Sequence, residues 1–132
     1  MNEDYNKKVI IDTKSLQWGK STHNNILKKI LSYNLEKETA LIKMEVNSIL
    51  NKDSKINSVE IFILEGIYIN EFGEFKAGTY LRLPKEDEAY VKTNIGCIIF
   101  RKINYFKDKQ QIIIDTNNSQ WLQGQGNLEV LI

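Results

Sequence analysis

From residue 58 onward apolar and polar positions alternate in short runs broken by glycine, asparagine and charged residues, the period expected of half-buried strands. The run "VEIFILEGIYI" (59–69) is dense in β-branched and aromatic side chains and breaks at Gly66. A turn follows at "NEFGE" (70–74) around Gly73, and "FKAGTYLRLP" (75–84) reads as the returning strand, ended by the only proline, Pro84. "GCIIFRKI" (96–103) is another apolar run, followed by the charged loop "NYFKDKQ" and then "IIID". Four or five such strands with turns between them favour an antiparallel sandwich or barrel over alternating βαβ units.

The stretch 25–51 is ambiguous. Leu27, Leu31 and Leu35 recur at helical spacing, whereas "TALIKMEV" (39–46) alternates like a strand. Periodicity alone leaves helix and strand open over 25–35.

The chain also says nearly the same thing twice: "IIDTKSLQW" at 10–18 and "IIDTNNSQW" at 113–121. Two readings of the second copy compete. Residues 112–132 either close the chain's own barrel as a final strand pair, or dock on a neighbouring subunit and satisfy its edge hydrogen bonds through a symmetric dimer. The apolar ending "LEVLI" needs cover in both readings.

Composition narrows the function classes. A chain of 132 residues with 42% hydrophobic and 27% charged residues has the size and balance of one ordinary folded domain, 1–132, with 1–8 expected as a loose tail. The formal net charge is +1 and the lysines are scattered, so nucleic acid is not expected as a partner. No apolar run approaches the ~18 residues that span a bilayer, so no membrane partner is expected either. One cysteine, Cys97, excludes an intrachain disulfide, and together with the polar start it points to the cytoplasm.

With these residues in view the chain resembles the ChrR-type cupin domains, named for a zinc-containing anti-sigma factor. Glu60, Leu64-Glu65-Gly66, Gly73, Gly78-Thr79-Tyr80, Arg82, Pro84 and Gly96-Cys97 keep the family's order and spacing. The resemblance implies an all-β, cupin-type double-stranded β-helix, a jelly-roll barrel, so that 25–35 and 39–48 become strands. "DT" followed by tryptophan looks like the opening of a cupin unit, which many relatives carry in tandem.

The resemblance also implies where a metal would sit. Its ligands are two histidines separated by one residue, a glutamate five positions on, and a third histidine on a later strand. Those positions fall on Asp53, Lys55, Glu60 and Ala89, of which only Glu60 keeps the expected type. Alanine offers no donor, and holding a lysine neutral at pH 7 costs about 4–5 kcal/mol. No metal and no cofactor are therefore expected, and Lys55 is read as replacing the ion's positive charge beside Glu60. Asp53 and Lys55 in "NKDSKINS" could equally belong to a solvated loop.

If Glu60 faces the lumen, alternation brings Phe62 and Leu64 there too, with Ile61 and Ile63 opposite. Tyr80 and Arg82 share strand parity near the mouth, where Arg82 could hold an anion such as a carboxylate or brace the turn before Pro84. The candidate ligand-binding residues are thus Lys55, Glu60, Phe62, Tyr80 and Arg82, with none assigned to catalysis. His23 reads as a surface residue, Cys97 as a buried inert thiol, Trp18 and Trp121 as packing anchors, and Glu86, Asp87 and Glu88 as a solvated loop.

The functional expectation is a small-molecule binding or sensing module, homodimeric and leaning away from an enzyme. The alternatives are a divergent metal-dependent dioxygenase, isomerase or hydrolase that uses Glu60 and Asp53, and a regulatory or structural protein-interaction module.

Overall fold

A computed structural model describes residues 14, 16–20, 25–51, 54–84 and 90–118. The described residues form ten strands in order: β1 (Gly19–Lys20), β2 (Ile26–Asn34), β3 (Lys37–Met44), β4 (Ile49–Leu50), β5 (Ser58–Asn70), β6 (Gly73–Lys76), β7 (Thr79–Pro84), β8 (Val91–Lys92), β9 (Cys97–Ile103) and β10 (Ile112–Asp115). All pairings are antiparallel. The major arm runs β1-β2-β3-β9-β5-β7-β10, and a minor arm of β4, β8 and β6 gathers around the second half of β5. Among the described residues no helix is long and apolar enough to cross a membrane.

Strand β5 serves both arms because it turns at Gly66. Its first half pairs with β7 and β9, its second half with β6 and β8. The turn needs a residue without a side chain: Gly66 has φ +79°, and a Cβ there would lie 2.1 Å from the Gly96 carbonyl oxygen. The returning segment 75–84 is accordingly not one strand. It divides at Ala77 and Gly78 into β6, which pairs with the minor half of β5, and β7, which pairs with the major half.

Residues 26–34 and 37–44 are strands, as the family resemblance implies. The leucine spacing misleads because β2 carries a bulge between Ile30 and Ser32, which shifts the phase of the pleat. Ile26 and Leu31 are buried despite opposite parity, whereas Leu35 is 83% exposed in the β2–β3 turn at φ +56°.

The core lies between the arms. Ala40, Ile42, Met44, Val59, Ile61, Ile63, Leu81, Leu83, Cys97 and Ile99 from the major arm meet Tyr68 and Val91. Ile61, Ile63, Leu81 and Ile99 are each sealed from solvent to within 1%, which is worth about 1.5–3 kcal/mol per side chain.

Candidate functional site

The alternation of β5 in the major arm is opposite in sense to the expectation. Val59, Ile61 and Ile63 enter the core, whereas Glu60 and Phe62 are half-buried on the other face and Leu64 is exposed. A bulge between Ile63 and Glu65 then resets the phase before Gly66. Glu60 therefore does not line the barrel lumen, and neither Phe62 nor Leu64 walls it.

The strand register gathers most of the expected residues on that outer face. Phe62 stands opposite Tyr80 on β7 and Phe100 on β9, and Phe100 stands opposite Leu41 on β3. One step along the sheet, Glu60 stands opposite Arg82 and Lys102, and Lys102 opposite Thr39. Directly opposed residues share a face. The outer surface of the major arm thus carries an aromatic row (Tyr80, Phe62, Phe100) beside a charged row (Arg82, Glu60, Lys102).

Tyr80 joins the two rows: its hydroxyl donates to Glu60 Oε2 at 3.1 Å. Burial, then the charge of Glu60 and this hydrogen bond, push the Tyr80 phenol up to about 12, so it stays a donor throughout the physiological range. Arg82 is occupied by the chain itself. Its guanidinium donates to both carboxylate oxygens of Asp108, at 2.7 and 2.9 Å, and to the Gln110 carbonyl at 2.8 Å. It also stacks 3.6 Å from the centre of the Phe106 ring. The anion held by Arg82 is thus a side chain of the protein, and the group braces the loop 104–111. The hydrogen bonds from Arg82 and the Gln110 backbone hold the Asp108 carboxyl well below the usual carboxylate range.

Lys55 is exposed on the turn before β5, whose shape is set by Asn104. Asn104 accepts from the Asn57 backbone at 2.6 Å and donates to the carbonyls of Glu36 (2.7 Å) and Lys55 (3.2 Å). Cys97 is buried, and burial pushes its thiol up to about 11, in keeping with an inert core residue. Trp18 is half-buried with the Lys29 ammonium 4.6 Å from its ring centre. His23, Asp53, Glu86, Asp87, Glu88, Ala89 and Trp121 lie outside the described residues.

The residues present do not fit a metal held in the barrel core. Glu60 is directed away from it, the core-facing positions around Glu60 are Val59 and Ile61, and Ala89 has no side-chain donor wherever it lies. Among the described residues no three His, Cys, Asp or Glu side chains form a group able to hold an ion.

Sequence reasoning missed three charged residues that point inward. Arg101, 8% exposed, projects from β9 between Ile99 and Ile103. Glu38 and Lys28 form an ion pair at 2.6 Å on the core side of β3 and β2. The signal was parity: Arg101 alternates in step with Cys97, Ile99 and Ile103, and Glu38 with Ala40, Ile42 and Met44.

Residues 6–107 match the family model for the ChrR cupin-like domain. The chain belongs to the ChrR cupin-like family. Solved structures with the same fold include Rhodobacter sphaeroides ChrR, an anti-sigma protein seen in complex with SigE (TM-score 0.58, 16% identity, covering 70% of this chain and 51% of that one). YlbA from E. coli is similar at TM-score 0.60 and 13% identity, covering 80% of this chain and 50% of that one. A candidate acetylacetone dioxygenase from Methylibium petroleiphilum PM1 matches at TM-score 0.60 and 12% identity, covering 78% and 81%. No curated protein matches the sequence. The chain spans about half the length of the first two structures, and at these identities the likeness to this ChrR cupin-like domain is one of fold. That fold is the all-β cupin barrel expected from the sequence.

Proposed function

We propose that this ChrR-like cupin is a binding domain that takes a small planar ligand on the outer face of its major arm, without a metal and without chemistry on the ligand. The observation that supports it is the convergence of Glu60, Phe62, Tyr80 and Arg82 on one face, tied together by the Tyr80–Glu60 hydrogen bond. Phe62, Tyr80 and Phe100 offer adjacent rings, and a ligand ring stacked on such a surface gains about 0.5–1.5 kcal/mol per pair beyond burial. Lys102 beside them favours a ligand that bears a carboxylate, with Glu60 and Tyr80 available to a ligand hydroxyl or amide. Arg82 has a positioning role through Asp108, and Lys55 is not needed. A buried Cys97 and the absence of any second cysteine support a reducing compartment such as the cytoplasm.

The test is to titrate the isotope-labelled chain with benzoate, naphthoate and their uncharged amides while following backbone amide resonances. The expected result is saturable movement of the Phe62, Tyr80, Phe100 and Lys102 signals, stronger for the acids, and lost in Phe62→Ala and Lys102→Glu. Binding that survives both substitutions, or no saturable binding by any of the panel at millimolar concentration, would refute the proposal.

A further inference from the structure

The repeated phrase has a structural meaning at its second occurrence. Strand β10 lies along the edge of β7 in the register Ile112–Arg82, Ile113–Leu81, Ile114–Tyr80 and Asp115–Thr79. Just beyond it the Asp-Thr pair grips the turn between β6 and β7. The Thr116 backbone N–H donates to the Gly78 carbonyl at 2.9 Å, and the Thr116 hydroxyl donates to the same oxygen. Asp115 accepts from the Asn117 backbone at 3.0 Å and from its side-chain amide at 2.9 Å, and that amide donates to the Ala77 carbonyl at 2.8 Å. Gly78, at φ +93°, leaves room for this: a Cβ there would meet the Asn117 side chain at 2.5 Å.

The Asp-Thr part of this grip recurs in the first phrase. Ile10-Ile11-Asp12-Thr13 matches Ile113-Ile114-Asp115-Thr116 residue for residue at one constant offset, with Val9 in place of Ile112, and the offset carries on to Gln17 with Gln120 and Trp18 with Trp121. Strand pairing uses backbone groups that any such apolar run supplies, and the Thr grip needs only a Thr after an Asp. Lys14 lies in a 3-10 turn, as does its counterpart Asn117 in the turn Thr116–Asn118. Both bonds of the Asn117 side-chain amide, to Ala77 and to Asp115, have no counterpart, since lysine carries no amide. Within one chain β1, which follows the first phrase in sequence, ends the major arm at the far side from β10.

We infer that the β7 edge and the Ala77-Gly78 turn form a docking site for either phrase, and that the first phrase of a second copy of this chain exchanges with β10 there. The partner is thus another molecule of the same protein, associated through reciprocal strand exchange. The chain's own β10 has the advantage of attachment, which acts like a local concentration in the millimolar range, so exchange grows with protein concentration and with any weakening of the β10 grip. This inference is independent of the ligand reading.

The experiment compares the full chain with an Asp115→Ala, Thr116→Ala variant by light scattering after size separation over a concentration series. Thermal melts confirm that each protein is folded. Losing one or two hydrogen bonds from β10 is expected to raise the dimerisation constant roughly ten-fold, and adding Asp12→Ala and Thr13→Ala is expected to abolish the gain. A folded variant with the parent's dimerisation constant, or added association that survives the Asp12 and Thr13 changes, would overturn the inference. A second measurement leaves the protein unaltered: a fluorescent peptide of residues 8–18 should bind saturably and quicken hydrogen exchange at Ile113 and Asp115. The Asp12→Ala, Thr13→Ala peptide should do neither. Equal behaviour of the two peptides, or no binding at millimolar concentration, would overturn the inference whatever the variants do.

Discussion

Replacing Gly66 by alanine is expected to be among the most damaging single-methyl changes in this protein. At φ +79° an L side chain costs about 1–2 kcal/mol on conformation alone. The added Cβ would sit 2.1 Å from Gly96 O, 2.8 Å from Cys97 Cα and 2.9 Å from Gly96 C, all backbone atoms of β9 or the turn that leads into it. None of these can rotate aside, so β5 and β9 must part where β5 passes from one arm to the other. The bond from the Ile67 N–H to Gly96 O, 3.1 Å long, is lost with them, and a buried backbone group left unpaired costs about 1–3 kcal/mol. The sum is about 2–5 kcal/mol. For a 132-residue chain each kcal/mol moves the melting temperature by about 4 °C, so Gly66→Ala should melt about 8–20 °C below the parent. Gly19→Ala is the control: Gly19 lies in β1 and a Cβ there would meet only Lys28 O, at 3.5 Å. It should leave the melt unchanged or raise it slightly. Circular dichroism melts of the three proteins decide the matter, and a Gly66→Ala protein melting within about 3 °C of the parent would refute the reasoning.

Three further outcomes follow from the same packing. Ile61→Ala should cost about 2–5 kcal/mol in urea unfolding and Phe62→Ala no more than about 1.5, because Ile61 is sealed in the core and Phe62 is half-buried on the outer face. Tyr80 should ionise near pH 12, read by ultraviolet absorbance as the difference between the parent and Tyr80→Phe. The stability it contributes is complete below the ordinary tyrosine range near 10 and is lost as pH rises through 12, and Glu60→Gln should lower its titration point. The Arg82–Asp108 brace should persist in acid: with the Asp108 pKa depressed, its contribution is present above the ordinary aspartate value of about 3.9 and fades only as pH falls well below it. The Asp108 carboxyl resonance should therefore stay ionised at pH 3, and should titrate at a higher pH in Arg82→Gln.

The strand runs were legible because β5, β7 and β9 carry the alternation and β-branched content of half-buried strands, and Gly66 and Gly73 mark real changes of direction. The helix-or-strand ambiguity over 25–35 could not be resolved locally, since a one-residue bulge near Leu31 breaks the period that would have identified β2. The grouping of four candidate residues on one face was legible, and the direction of that face was not. Glu60, Phe62, Tyr80 and Arg82 do share a face, because residues two apart on paired strands must. Which face is set by the whole sheet: Glu60 has apolar neighbours on both sides in sequence, and only the burial of Ala40, Leu81, Leu83 and Ile99 opposite them draws Val59 and Ile61 inward. For Arg82 the sequence left open an anion or a bracing of the turn before Pro84; its partner Asp108 comes from a loop whose approach no local pattern encodes.

The placement of Glu60 and Phe62 on the accessible side of β5, with Val59, Ile61 and Ile63 inside, carries the whole functional reading. Single cysteines at Glu60, Ile61, Phe62 and Ile63, allowed to react with an aromatic disulfide under native conditions, test it most directly, because Cys97 is buried and gives little background. Fast labelling at 60 and 62 with protection at 61 and 63 is the expected pattern, and the reverse alternation would contradict the account.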